Sequence, residues 1–211
     1  MTKIKICGMT CERDIEILNR CLPDYAGFVF AESRRRLTPE AAGRLAGQLA
    51  SSVGRVGIFV NAAREELLEA VDAAGLGAVQ LHGDETPEEI ERLRGRLKSG
   101  VEIWKAIRVR DARSLKEIDR FAADRYLLDA YADGSYGGAG KSFNWAWAEA
   151  AGAKACIILA GGLNPSNVAE GVRLVRPFAV DVSSGVETGA HKDESKVRDF
   201  INAVRGTQVR F

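Results

Sequence analysis

The sequence lacks most of the marks by which common functions announce themselves. Its four cysteines form no CxxC pair and its two histidines, His82 and His191, stand far apart, so zinc-ligand spacing is absent. No run approaches the roughly 20 apolar residues that a membrane span needs, and Lys3 and Lys5 interrupt any apolar signal core at the N-terminus. An excess of one charge is missing too. Thirty basic residues against twenty-nine acidic ones leave +1, so no global field recruits nucleic acid or an anionic membrane. These absences speak against nucleic-acid and membrane partners and make a cytoplasmic location the default. A disulfide framework is not expected there, and a Cys7–Cys11 bridge has little behind it. Cys21 and Cys156 read as small apolar fillers. No linker, low-complexity tract or domain boundary interrupts the chain.

What is present is a rhythm. The 211 residues are 46% hydrophobic and 28% charged, enough for a substantial core. Eight β-rich runs recur: KIKIC (3–7), YAGFVF (25–30), RVGIFV (55–60), AVQLH (78–82), EIWKAI (102–107), RYLLDA (125–130), ACIILA (155–160) and FAVDVS (178–183). Amphipathic segments with helix signals fill the gaps. Thr38-Pro39, Thr86-Pro87 and Asn164-Pro165 each set a capping residue before a proline, and Glu89 completes a capping box with Thr86. The segments 67–75 and 194–206 keep the helical period and finish at a glycine.

Eight strands alternating with eight helices predict an α/β protein with a parallel sheet, either closed or doubly wound. The strand pattern favours closure. Lys3, Lys5 and Cys7 alternate with Ile4 and Ile6, Gln80 and His82 with Val79 and Leu81, and Asp181 and Ser183 with Val180 and Val182. Polar residues facing inward suit a small barrel whose interior leads to a site, whereas an open sheet covered on both faces shows continuous apolar runs. The expectation is a single-domain (β/α)8 TIM barrel over residues 1–211, with short loops.

In that fold the site lies at the C-terminal strand ends, so Cys7, His82, Asp129 and Ser183 converge. The glycine-containing loops AGGLNPSN (160–167) and SSGVETG (183–189) follow strands seven and eight, the usual phosphate cradle. GGAGKS (137–142) is not a P-loop, because Ser135 stands where its first glycine belongs. It reads instead as a flexible sixth loop. Asp129 caps a turn or faces Cys7 across the mouth, where a carboxylic acid and a thiol supply an acid and a base. Lys5 and Asp181 read as a structural pair inside the barrel, since a buried charge needs a partner.

KICGMT (5–10), GFVF with SRRRL (27–30, 33–37), VGIFVN (56–61), VQLHGDE (79–85), LLDA with GGAGKSFNW (127–130, 137–145), AGGLNPSNV (160–168) and VDVSSGVE (180–187) together resemble the phosphoribosylanthranilate isomerase family of tryptophan biosynthesis. The resemblance implies an Amadori rearrangement of a phosphorylated small molecule, with no cofactor and no metal. It makes Cys7 the general base and Asp129 the general acid. Arg35, flanked by Arg34 and Arg36, becomes the partner of the anthranilate carboxylate. Backbone amides around Gly161, Gly162, Ser184 and Gly185 take the phosphate, with Asp181 and Ser183 among the residues lining the substrate; His82 lines the site too or is a packed core residue. For this chemistry the thiol pKa is expected to be lowered and the carboxyl pKa raised. A histidine-pathway-like aminoaldose isomerase and a non-catalytic phosphate-binding barrel are the alternatives. Monomer and homodimer stay open.

Overall fold

Alternation decides the architecture. The computed structural model describes residues 1–130, 143–152 and 155–207. Its strands are β1 (Lys3–Cys7), β2 (Tyr25–Val29), β3 (Gly54–Phe59), β4 (Ala78–Leu81), β5 (Glu102–Val109), β6 (Arg125–Ala130), β7 (Ile157–Leu159) and β8 (Ala179–Val182). They pair in parallel in chain order and close, β8 against β1. The expected barrel is therefore found. β5 runs two residues further than expected, and β7 is shorter at both ends.

The helices around it are α1 (Glu12–Cys21), α2 (Pro39–Gly47), α3 (Arg64–Ala74), α4 (Pro87–Arg94), α5 (Trp145–Gly152), α6 (Val168–Val175) and α7 (Glu194–Gly206). Thr38 caps α2, and Thr86 with Glu89 closes the capping box of α4. Gly75 ends α3 at φ +58, a left-handed turn that glycine adopts freely. Two expectations fail. The segment after β5 is a 3₁₀ helix, Ala112–Arg120, whose one buried residue is Ile118. So small an apolar face offers little packing to sustain a full α-helix. Asn164 does not cap α6. Its side-chain oxygen accepts hydrogen bonds from the Ser166 amide (2.9 Å) and hydroxyl (2.5 Å), making a local turn that delays the helix to Val168.

Two apolar layers form. Ile4, Ile6, Val79, Leu81, Val180 and Val182 face the helices in the larger one. Inside the barrel, Val56, Ala78, Trp104, Ala106, Leu127, Ile158, Ala160 and Ala179 make a smaller cluster, with Tyr25 edge-on to Trp104 at 5.2 Å. This plug fills the lower barrel. The inward positions nearer the C-terminal ends include the buried or half-buried polar residues Lys5, Gln80, His82, Asp129 and Asp181. Apolar matter below and polar groups above leave one end of the barrel for chemistry. Cys21 belongs to the outer core as expected, but Cys156 is exposed, one residue ahead of β7 and outside the packed alternation. All four cysteines are free thiols.

Candidate active site

Cys7 ends β1 opposite Gly27 of β2. A side-chain carbon at position 27 would lie 2.8 Å from the Cys7 Sγ, so the glycine clears the space into which the thiol points. Cys7 is buried. Burial pushes its thiol pKa up; the Lys5 and Lys192 ammonium groups pull against this, and the Asp181 carboxylate adds to it. The expected lowering is therefore not found. A thiolate in so dry a place outweighs two nearby cations.

Directly below, Lys5 donates to Asp181 Oδ1 at 2.9 Å, and the two residues are register partners across the β1–β8 seam that closes the barrel. Lys5 is fully buried. Burial opposes its charge, yet Asp181 and Cys7 together hold the ammonium pKa above its ordinary value. Removing one member would strand a buried charge, at a cost of about 3–5 kcal/mol. The Ser183 hydroxyl donates to the Cys7 carbonyl at 3.0 Å, tying the end of β8 to the end of β1.

The basic run after β2 resolves by position. Gly8, at φ +86, has no side chain where the Arg35 Cδ lies, so Arg35 packs onto the end of β1 beside Ser183. Arg36 turns to Glu32 at 2.6 Å, and the side chains of Arg34 and Arg36 are 52% and 57% exposed against 14% for Arg35. Arg35 meets Glu187, which begins a small hairpin, β9 (Glu187–Thr188) with β10 (His191–Lys192). Lys192 donates to Glu187 Oε1 at 2.7 Å and to the Ser183 carbonyl at 3.2 Å. Burial works against the Glu187 carboxylate, but Arg35 and Lys192 outweigh it and hold its pKa down at about 2. Neither Glu187 nor Lys192 is singled out by sequence reasoning. The available signal is that Glu187 closes the VDVSSGVE block; Lys192 has none.

Across the mouth, Asp129 sits near the end of β6, buried, its Oδ1 accepting from the Ala130 amide at 2.9 Å. Gly161 follows β7 at φ +82, and a side-chain carbon there would lie 2.7 Å from the Ala130 nitrogen and 3.0 Å from Asp129 Oδ1. Only glycine allows this approach. Among the described residues, the amides of Gly161 and Gly162 donate to no protein acceptor. Ser184 and Gly185 open a short 3₁₀ turn, Ser184–Val186, and the bare Gly185 backbone lets the Leu163 carbonyl of the preceding loop come close. The two glycine loops thus touch. His82 follows β4, buried, and its Nε2 contacts the Gln80 amide nitrogen, while Gln80 Oε1 is buried with no partner among the described residues. Lys105, absent from the sequence reading, donates to the Gly83 carbonyl at 2.7 Å and to Glu85 at 2.8 Å, bracing the loop after β4. The stretch 137–142 lies outside the described residues.

Cys11, Asp14 and His191 bring three potential metal-ligating atoms within 4.8 Å of one another. The Asp14 carboxylate is already engaged. Thr10 donates to its Oδ2 through both amide and hydroxyl, and the Lys192 amide donates to its Oδ1 at 3.0 Å. It fastens the hairpin to α1. A cavity of about 1040 Å³ opens between the loop after β4 and the 3₁₀ segment, but neither Cys7 nor Arg35 lines it. No helix among the described residues is long and apolar enough to cross a membrane.

The family described as N-(5'phosphoribosyl)anthranilate (PRA) isomerase matches residues 4–203. A curated N-(5'-phosphoribosyl)anthranilate isomerase of Acetivibrio thermocellus is 52% identical over 210 residues, 97% of this chain and 96% of that one. Among solved structures, phosphoribosyl anthranilate isomerase from Thermotoga maritima has a TM-score of 0.87 at 35% identity, covering 98% and 100% of the two chains. Another, in complex with reduced 1-(o-carboxyphenylamino)-1-deoxyribulose 5-phosphate, has a TM-score of 0.84 at 35% identity, again over 98% and 100%.

Proposed function

The chain belongs to the phosphoribosylanthranilate isomerase family, and from that premise we propose how its residues divide the work. The reaction is the Amadori rearrangement of N-(5-phosphoribosyl)anthranilate to 1-(2-carboxyphenylamino)-1-deoxyribulose 5-phosphate, in tryptophan biosynthesis. It has two demands: a proton for the ribose ring oxygen and a base for the hydrogen on C2.

Asp129 supplies the first. Its carboxyl proton passes to the ring oxygen, the C1–O bond breaks, and the nitrogen lone pair forms a protonated Schiff base. Cys7 meets the second. Its sulfur takes the C2 proton, the C2–H electrons move into the C1–C2 bond, and the C=N electrons return to nitrogen. The resulting enolamine becomes the aminoketose by losing the proton of its C2 hydroxyl and gaining one at C1.

The C2 hydrogen becomes acidic only once the C1 iminium has formed, and this orders the steps. Burial holds the Cys7 thiol pKa above its ordinary value, so the free protein disfavours the thiolate. Ring opening places a positive iminium over the thiol, and that charge favours the thiolate when it is needed. The acid step therefore precedes the base step.

Amides of Gly161, Gly162, Ser184 and Gly185 hold the phosphate, and Arg35 holds the anthranilate carboxylate through paired N–H donors. His82 and Ser183 line the substrate, and Asp181 acts through Lys5 beneath it. The single observation carrying this reading is the clearance at Gly8, Gly27 and Gly161, which sets Arg35 and Cys7 at one side of the mouth and Asp129 at the other. We place the protein in the cytoplasm.

Freshly prepared phosphoribosylanthranilate should lose its anthranilate-type fluorescence on addition of the protein; decay no faster than the spontaneous background would contradict the reading. Arg35→Ala should raise KM by about 10- to 100-fold, against less than about 3-fold for Arg34→Ala or Arg36→Ala. Equal effects at the three positions would mean that the loop acts through bulk charge.

A further inference from the structure

The contact between Arg35 and Glu187 assigns a role to a carboxylate that the mechanism above does not use. Glu187 is 4% exposed at its side chain. Its Oε1 accepts from Arg35 Nε at 3.0 Å and Lys192 Nζ at 2.7 Å, and its Oε2 accepts from Arg35 Nη2 at 2.9 Å and Arg34 Nη2 at 2.5 Å. One carboxylate is thus shared among three cations. The cluster keeps two positive charges in excess, so Arg35 is held in place without being neutralised.

The geometry of the guanidinium makes this useful. A guanidinium has five N–H groups in a rigid plane. Glu187 takes one edge, the Nε–Nη2 side, and leaves the hydrogens of Nη1 and the second of Nη2 for another acceptor. An unbraced arginine would sample many rotamers, and ordering it would subtract from binding. Here the brace is itself anchored, because Lys196 donates to the Glu187 carbonyl at 2.8 Å and Lys192 spans Glu187 and the Ser183 carbonyl.

We propose that Glu187 is a positioning residue that aims the free edge of Arg35, and so sets the preference for an aryl amine bearing an ortho carboxylate over one without it. The proposal rests on the assignment of Arg35 to the substrate carboxylate. Glu187 acts through Arg35 and does not touch the reacting atoms.

The test compares two substrates, N-(5-phosphoribosyl)anthranilate and N-(5-phosphoribosyl)aniline, which lacks the carboxylate. Glu187→Gln should raise KM for the first by about 10-fold, the loss of about one charge-assisted hydrogen bond, with kcat within about 3-fold of wild type. For the aniline compound, kcat and KM should stay within about 3-fold of wild type, since there is no carboxylate to aim at. Glu187→Asp keeps the charge beside Lys192 but is too short for both Arg35 contacts, so it should fold normally and lose the same preference. Arg35→Ala should abolish the preference outright. If Arg35→Ala loses it while both Glu187 variants keep it, or if they weaken both substrates equally, Glu187 is only a structural counterion and the inference is overturned. If Arg35→Ala itself keeps the preference, the carboxylate assignment fails and the inference falls with it.

Discussion

Cys7→Ser should lower kcat by at least ~10²-fold while leaving KM close to wild type, the loss expected when a general base is removed. Serine fits the slot that Gly27 clears, and the Ser183 bond goes to the Cys7 backbone, so the fold has no reason to change. What changes is ionisation. A hydroxyl in that pocket stays protonated even beside an iminium, so the C2 hydrogen has no acceptor. Cys11→Ser, Cys21→Ser and Cys156→Ser should leave turnover nearly unchanged, which separates the position from the mere presence of thiols. A folded Cys7→Ser protein that turns over like wild type would make Cys7 a core filler.

Asp129→Asn should cost about 10²- to 10⁴-fold in kcat, the usual range for a missing general acid. An amide oxygen can still accept from the Ala130 amide, and the side chain keeps its size beside Gly161, so the local structure survives. The amide cannot give up a proton to the ring oxygen. The two variants then stop the reaction at different points. Asp129→Asn blocks ring opening, whereas Cys7→Ser permits it and halts at the Schiff base. Borohydride should therefore trap a reduced adduct with Cys7→Ser and far less with Asp129→Asn. Equal trapping would contradict the division of roles.

The barrel is legible because its strands carry a period of two that switches to a helical period in each gap. Lys5, Gln80 and Asp181 betray the inside by being polar where an open sheet would be apolar. The failures have local causes. Asn164 has the residue type of a cap but spends its side chain on Ser166. The segment after β5 contains helix formers but buries one residue. At the site, Cys7, Asp129 and the glycine loops are legible as strand ends, since one fold places all such ends together. Glu187 and Lys192 are not, because Glu187 meets Arg35 across 152 residues, Lys192 acts only through Glu187, and both sit on a hairpin with no periodic signature. The pKa of Cys7 is not legible either. Burial, Lys5 and Lys192 compete there, and only geometry reveals that burial wins.

The central claim, that Cys7 removes the C2 hydrogen after ring opening, is tested most directly with substrate carrying tritium at C2 of the ribose. Wild-type protein should release the label to water in step with product formation. Cys7→Ser should retain it while ring opening continues, seen as the trapped Schiff base. Release from Cys7→Ser at the wild-type rate would contradict the account.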